Sequence, residues 1–156
     1  MEDFILYKRF PSGGTVSLMT GLDRTNSDYH DLIEIASFFA RIGKDVRVLT
    51  PIHYKDPEYS LVFGPLMGTP YERKCPDLMI GGQYYEYESY VRPWTKRKLS
   101  NMISHGVRQS NYIIIDGRGC PALRLIIRRI HSRINIHTNI KEVWIYDGEQ
   151  VVLIYP

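Results

Sequence analysis

Cysteine is scarce in this sequence: Cys75 and Cys120 are the only two in 156 residues, and no metal-binding spacing relates them. Two reduced thiols of a cytoplasmic protein are therefore the expectation. No apolar run approaches the roughly 18 residues that a membrane span requires, so no membrane partner is expected. The start, MEDFILYKRF, has acids at Glu2 and Asp3 and no basic segment leading into a cleavable apolar stretch, so no signal peptide is expected. His30, His53, His105, His131 and His137 form neither HxxH nor HExxH, which leaves each as an ordinary surface or core histidine. Acids are nearly missing from one long stretch: between Arg92 and Arg133 the only one is Asp116.

That stretch instead carries Arg92, Lys96, Arg97, Lys98, Arg108, Arg118, Arg124, Arg128, Arg129 and Arg133. The net charge is only +3, so the remainder of the chain is net acidic. Such asymmetry is the electrostatic footprint of a polyanion binder. The length suits a single domain, 1–156, with a buried core.

FILYKRF and GTVSLMT flank a Pro-Ser-Gly-Gly turn and predict an N-terminal hairpin within 1–22. SDYHDLIEIASFFARIG predicts a helix, with Ser27 as N-cap, Asp28 and Asp31 at its positive end, and Gly43 closing it. DVRVLTP reads as a strand. Residues 52–74 read as a long loop with one edge strand at SLVFG. PDLMIG and QYYEYES are strands turning at Gly81-Gly82. Thr95 caps a second helix, TKRKLSNMISHGVRQS, and NYIIID is a strand apolar enough to lie buried in a parallel sheet. Pro121 opens a third helix, PALRLIIRRIHSRI, and EVWIYDGEQVVLIYP ends as a hairpin around Asp147-Gly148. Helices interleaved with strands argue for an α/β fold on a mixed sheet.

Three carboxylates stand out. Asp77 opens one strand, and Glu86 and Glu88, two apart on the next, share a face. Clustered, buried carboxylates repel unless a cation compensates, and Mg²⁺ or Mn²⁺ takes such oxygen ligands. On the second helix Lys98, Met102, His105 and Gln109 form a stripe, and Lys96, Arg97 and Lys98 crowd the first turn, where cations oppose the helix dipole. A phosphate contact gives them a reason to be there. Among the aromatics, Tyr59, Tyr71 and Trp94 are placed in loops where they can stack unpaired bases.

The helix bearing Glu34, the strand DVRVL, the pair PDLMIGGQYYEYES and the run HGVRQSNYIIID resemble the αβββαβ core of the PD-(D/E)xK phosphodiesterases, a restriction-endonuclease-like core. The run from PDLMIGG to EVWIYDG is most similar to the C-terminal tRNase domain of CdiA-type contact-dependent growth inhibition toxins, relatives of which occur on mobile elements. The resemblance implies a catalytic core over 27–116, with the N-terminal hairpin and a C-terminal helix and hairpin (117–156) added. It implies a metal-dependent endonuclease, acting on RNA such as tRNA, with DNA as the other substrate, in the cytoplasm, and opposed by an immunity protein. Asp77 and Glu86 would hold the metal, assisted by Glu34 or Glu88. Glu88 stands where the family has a lysine, and Lys96 or Lys98 would supply the missing ammonium; Gln109 matches a polar position of the family. Arg92, Arg97, Arg108, Arg124 and Arg128 would grip flanking phosphates. Two rival expectations are a metal-independent ribonuclease with His105 or His131 as proton carrier, and a non-catalytic nucleic-acid-binding protein of a mobile element.

Overall fold

The computed structural model describes residues 4–134 and 139–156, and His137 lies outside the described residues. The chain is mixed α/β and divides into two compact units, Met1–Tyr84 and Tyr85–Pro156. The division falls inside one strand of what the sequence reading placed in a continuous 27–116 core.

In the first unit, β1 (Phe4–Arg9) and β2 (Thr15–Met19) form the expected antiparallel hairpin. Helix α1 (Tyr29–Arg41) then crosses to β3 (Asp45–Val48), which pairs parallel to β2, and β4 (Leu78–Ile80) adds antiparallel to β3. Leu32, Ile35, Ala36, Phe39 and Ala40 recur at helical spacing and are buried. Ser27 is not the cap expected of it. Asp28 holds that position without a side-chain capping bond to the helix, and Asn26 Oδ1 accepts the Asp28 N–H at 2.8 Å, turning the chain into the helix.

The segment expected as a loop with an edge strand contains a helix instead, α2 (Glu58–Phe63), followed by a 3₁₀ turn, Gly64–Leu66. The reason is periodic. Tyr59, Val62, Phe63 and Leu66 lie on one helical face and pack with Met19, Leu49, Tyr71 and Tyr84. Pro57 at the cap suits a helix start and disfavours a strand. Tyr59 and Tyr71 are buried in this cluster, and the Tyr59 hydroxyl donates to the Lys74 carbonyl at 2.7 Å, so neither is the exposed stacking platform expected.

The second unit is a strand–helix–strand–helix–strand run with a terminal hairpin. β5 (Gln83–Glu88), β6 (Tyr112–Asp116) and β7 (Glu142–Tyr146) pair parallel, and β8 (Val151–Tyr155) closes antiparallel on β7. Helices α3 (Lys96–Gly106) and α4 (Leu123–Ile134) make the two crossovers. Leu99, Met102 and Ile103 of α3 and Ile126 and Ile130 of α4 pack on Ile113, Ile115, Val143 and Ile145, so both helices cover the same face. Thr95 caps α3 as expected, its hydroxyl accepting the Lys98 N–H at 3.1 Å. Pro121 does not open α4. It lies in a bend two residues earlier, and the Leu125 N–H bonds back to the Ala122 carbonyl at 3.0 Å.

Candidate functional site

Strand β5 alternates, so Glu86 and Glu88 project to one face and Tyr85 and Tyr87 to the other. In parallel register Glu86 stands beside Ile113 and Glu88 beside Ile115, which puts both carboxylates on the helix-covered face. They are 6% and 9% exposed, a burial that is costly for carboxylates without compensation. Part of it comes from α3: His105 Nδ1 lies 2.7 Å from Glu88 Oε2. Gly106 makes this approach possible. A β-carbon there would stand 3.1 Å from Glu88 Cγ and 3.3 Å from Ile113 Cγ2.

Glu86, Glu88 and His105 each offer a ligand atom, and these atoms lie within 4.8 Å of one another. Two carboxylate oxygens and an imidazole nitrogen fit a divalent cation. The imidazole moves the preference from Mg²⁺, which wants oxygen, toward Mn²⁺ and other transition metals. With Glu88 facing Nδ1, Nε2 is the nitrogen left for a ligand or a proton.

Of the expected metal ligands, this group contains Glu86. Glu34 and Asp77 belong to the first unit: Glu34 is half-buried on α1, and Asp77 precedes β4, its carbonyl accepting the Leu49 N–H at 2.9 Å. Glu88, read as the residue in place of a lysine, joins the group. So does His105, which sequence pattern alone left ordinary. The available signal was its place on the helix stripe after the strand.

The two lysines differ. Lys98 Nζ is engaged by the backbone carbonyls of Val91 and Pro93, at 2.8 Å for the latter, whereas Lys96 is exposed. The stripe expected to include Gln109 stops short, because α3 ends at Gly106 and Gln109 sits in the following turn, its N–H bonded to the Gly106 carbonyl at 3.0 Å. Arg97, Arg108, Arg124 and Arg128 are exposed. Arg92 serves a structural network as well: its guanidinium donates to the Tyr90 hydroxyl at 2.6 Å and the Arg118 carbonyl at 3.0 Å. The anchor of that network is the one acid of the basic stretch. Asp116, 1% exposed at the end of β6, takes Arg118 in a two-pronged pair at 2.9 and 3.0 Å.

On the opposite face the Tyr85 hydroxyl donates to Glu142 Oε1 at 2.8 Å, and the Trp144 indole donates to the same oxygen at 2.8 Å. Burial, and then the Glu142 carboxylate, push the Tyr85 phenol far above its ordinary range. Tyr85 is a fixed structural donor here. His131 is exposed on α4, with its ring 6.2 Å from that of Tyr155.

No helix among the described residues is long and apolar enough to cross a membrane. No protein-family model, curated protein or solved structure matches the chain.

Proposed function

We propose that this chain is a metal-dependent endonuclease. The observation that carries the reading is the Glu86–Glu88–His105 group, whose ligand atoms converge within 4.8 Å in the unit that also holds the basic helices. Two carboxylates and an imidazole brought together in this way are a donor set that suits a divalent cation. Glu86, Glu88 and His105 would hold Mn²⁺ or Mg²⁺, which would supply an activated water and offset charge on a phosphoryl oxygen. Lys96, exposed at the start of α3, is the ammonium available to a substrate phosphate, since Lys98 is occupied by backbone carbonyls. Arg97, Arg108, Arg124 and Arg128 would hold flanking phosphates.

The chain order α1–β3–α2–β4–β5–α3–β6 departs from an αβββαβ core by the inserted α2, and otherwise, with the PD and ExE residues at Asp77, Glu86 and Glu88, supports likeness to the restriction-endonuclease-like PD-(D/E)xK enzymes. On this reading the substrate is RNA, with tRNA the first to try because of the toxin resemblance; the site of action is the cytoplasm, and an immunity protein is the natural partner. Cleavage of total tRNA and of plasmid DNA is to be compared with Mn²⁺, with EDTA, and with Glu86→Gln. Loss in the latter two is expected, and equal cleavage in all three sinks the reading.

A second reading rests on the 2.7 Å contact between His105 and Glu88. A carboxylate that orients an imidazole is the usual support of a general base, and His105 would then promote attack by an RNA 2′-hydroxyl without metal. Cleavage that survives EDTA and leaves a cyclic phosphate distinguishes it.

A further inference from the structure

The carboxylate–histidine group leaves unused a cavity of about 310 Å³ between α3 and α4. Its apolar wall is Trp94, Leu99 and Leu125, and its cations are Lys96, Arg128 and Arg129. The volume falls at the small end of the about 300–1,000 Å³ typical of ligand sites. Neither helix has a single Asp or Glu to neutralise these cations: α3 reads KRKLSNMISHG and α4 reads LRLIIRRIHSRI. The second unit as a whole has eleven Lys and Arg against six Asp and Glu. Trp94 is half-buried, so part of its ring remains open beside the cations.

An apolar wall edged by cations at short range asks for a ligand that is both flat and anionic. A duplex hides its bases within the stack, and a bare phosphate has no use for the apolar wall. We propose that this cavity takes one unpaired nucleotide of a nucleic-acid strand, its base laid against Trp94, Leu99 and Leu125 and its phosphate met by Lys96, Arg128 and Arg129. Aromatic stacking tolerates any base, so the site orients a single strand and does not read its sequence. The proposal deepens the nuclease reading and rests on it only for the biological identity of the strand.

The test is fluorescence anisotropy of a labelled single-stranded hexanucleotide, in EDTA, with the full chain. The double variant Arg128→Ala, Arg129→Ala changes one exposed and one half-buried residue. Leu125→Trp fills the cavity instead. Each is expected to weaken binding at least about tenfold, and the arginine variant to flatten the salt dependence by about 0.7 per lost phosphate contact. A mononucleotide should compete at least about tenfold better than inorganic phosphate or the free nucleoside, because only it engages both walls. Unchanged affinity in both variants overturns the proposal, as does equal competition by phosphate alone or by an acidic hexapeptide. Cleavage is scored separately with Glu86→Gln. A chain that binds through the cavity yet never cleaves defeats the nuclease reading alone. A chain that cleaves while both cavity variants bind normally defeats the cavity alone.

Discussion

His105 Nδ1 and Glu88 Oε2 stand 2.7 Å apart although they are 17 positions apart in the chain, because α3 folds back over the face of β5 that carries the two glutamates. This contact ties a helix to a strand and completes a three-residue donor set. Titration with Mn²⁺ should therefore stabilise the protein. At a hundredfold excess over Kd, linkage gives about 2.7 kcal/mol, which for a chain of this size raises Tm by about 5–10 °C. Glu86→Gln and His105→Ala should each remove most of that rise in a thermal melt. A rise of equal size in both variants contradicts the metal site.

Gly106→Ala tests the same geometry without touching a ligand. The new methyl would stand 3.1 Å from Glu88 Cγ and 3.3 Å from Ile113 Cγ2, so α3 must move away from β5. Ordinary overpacking costs about 1–3 kcal/mol. The Mn²⁺-induced rise in Tm should fall by more than half, whereas Ser104→Ala, elsewhere on the same helix, should leave it intact.

Lys96 and Lys98 should separate function from structure. Lys98→Met loses ammonium bonds to the Val91 and Pro93 carbonyls, worth about 0.5–1.5 kcal/mol net each, and should lower Tm by a few degrees with little change in nucleic-acid binding. Lys96→Met should do the reverse, leaving Tm within a degree and weakening strand binding. Anisotropy and melting curves on the two variants decide it.

Arg118→Leu strips the two-pronged guanidinium from buried Asp116, leaving it the residue-118 backbone N–H at 3.0 Å and Arg92 at 4.0 Å. Leaving a buried charge with no partner typically costs about 3–5 kcal/mol; with Arg118 28% exposed and Arg92 still 4.0 Å from the carboxylate, about 2 kcal/mol is expected from the same principle, read from urea denaturation at neutral pH. The double change Arg118→Leu, Asp116→Asn should recover part of the loss, because no unpaired charge then remains in the interior.

The last turn carries a pH dependence of known sign. Burial alone would raise the Asp147 carboxyl, but the backbone N–H groups of Gln150 and Glu149, each bonded at 2.8 Å, hold it below its ordinary value. A depressed carboxylate adds stability above its unfolded pKa of about 3.9, and that stability disappears as pH falls through the folded value. Asp147→Ala should lower Tm at pH 7, and the gap from the parent should close in melts below about pH 4.

Much of this protein could be read from its sequence. The terminal hairpins, α1, the Thr95 cap and the buried strand YIIID follow from periodicity, turn residues and capping, which act over a few residues. Alternation alone put Glu86 and Glu88 on one face. The helix at residues 58–63 is hidden in the sequence because a short apolar run looks alike in a strand and a buried helix; its face at Tyr59, Val62, Phe63 and Leu66 becomes visible only when its packing partners are known. Tertiary structure decided which polar residues meet. The convergence of His105 on Glu88, the commitment of Lys98 to two carbonyls, and the pairing of Arg118 with Asp116 depend on crossovers that bring residues of one unit together. Local patterns set which residues are charged and which face they share. The distances between them, and so the chemistry open to them, come from the packing of α3 and α4 on the sheet.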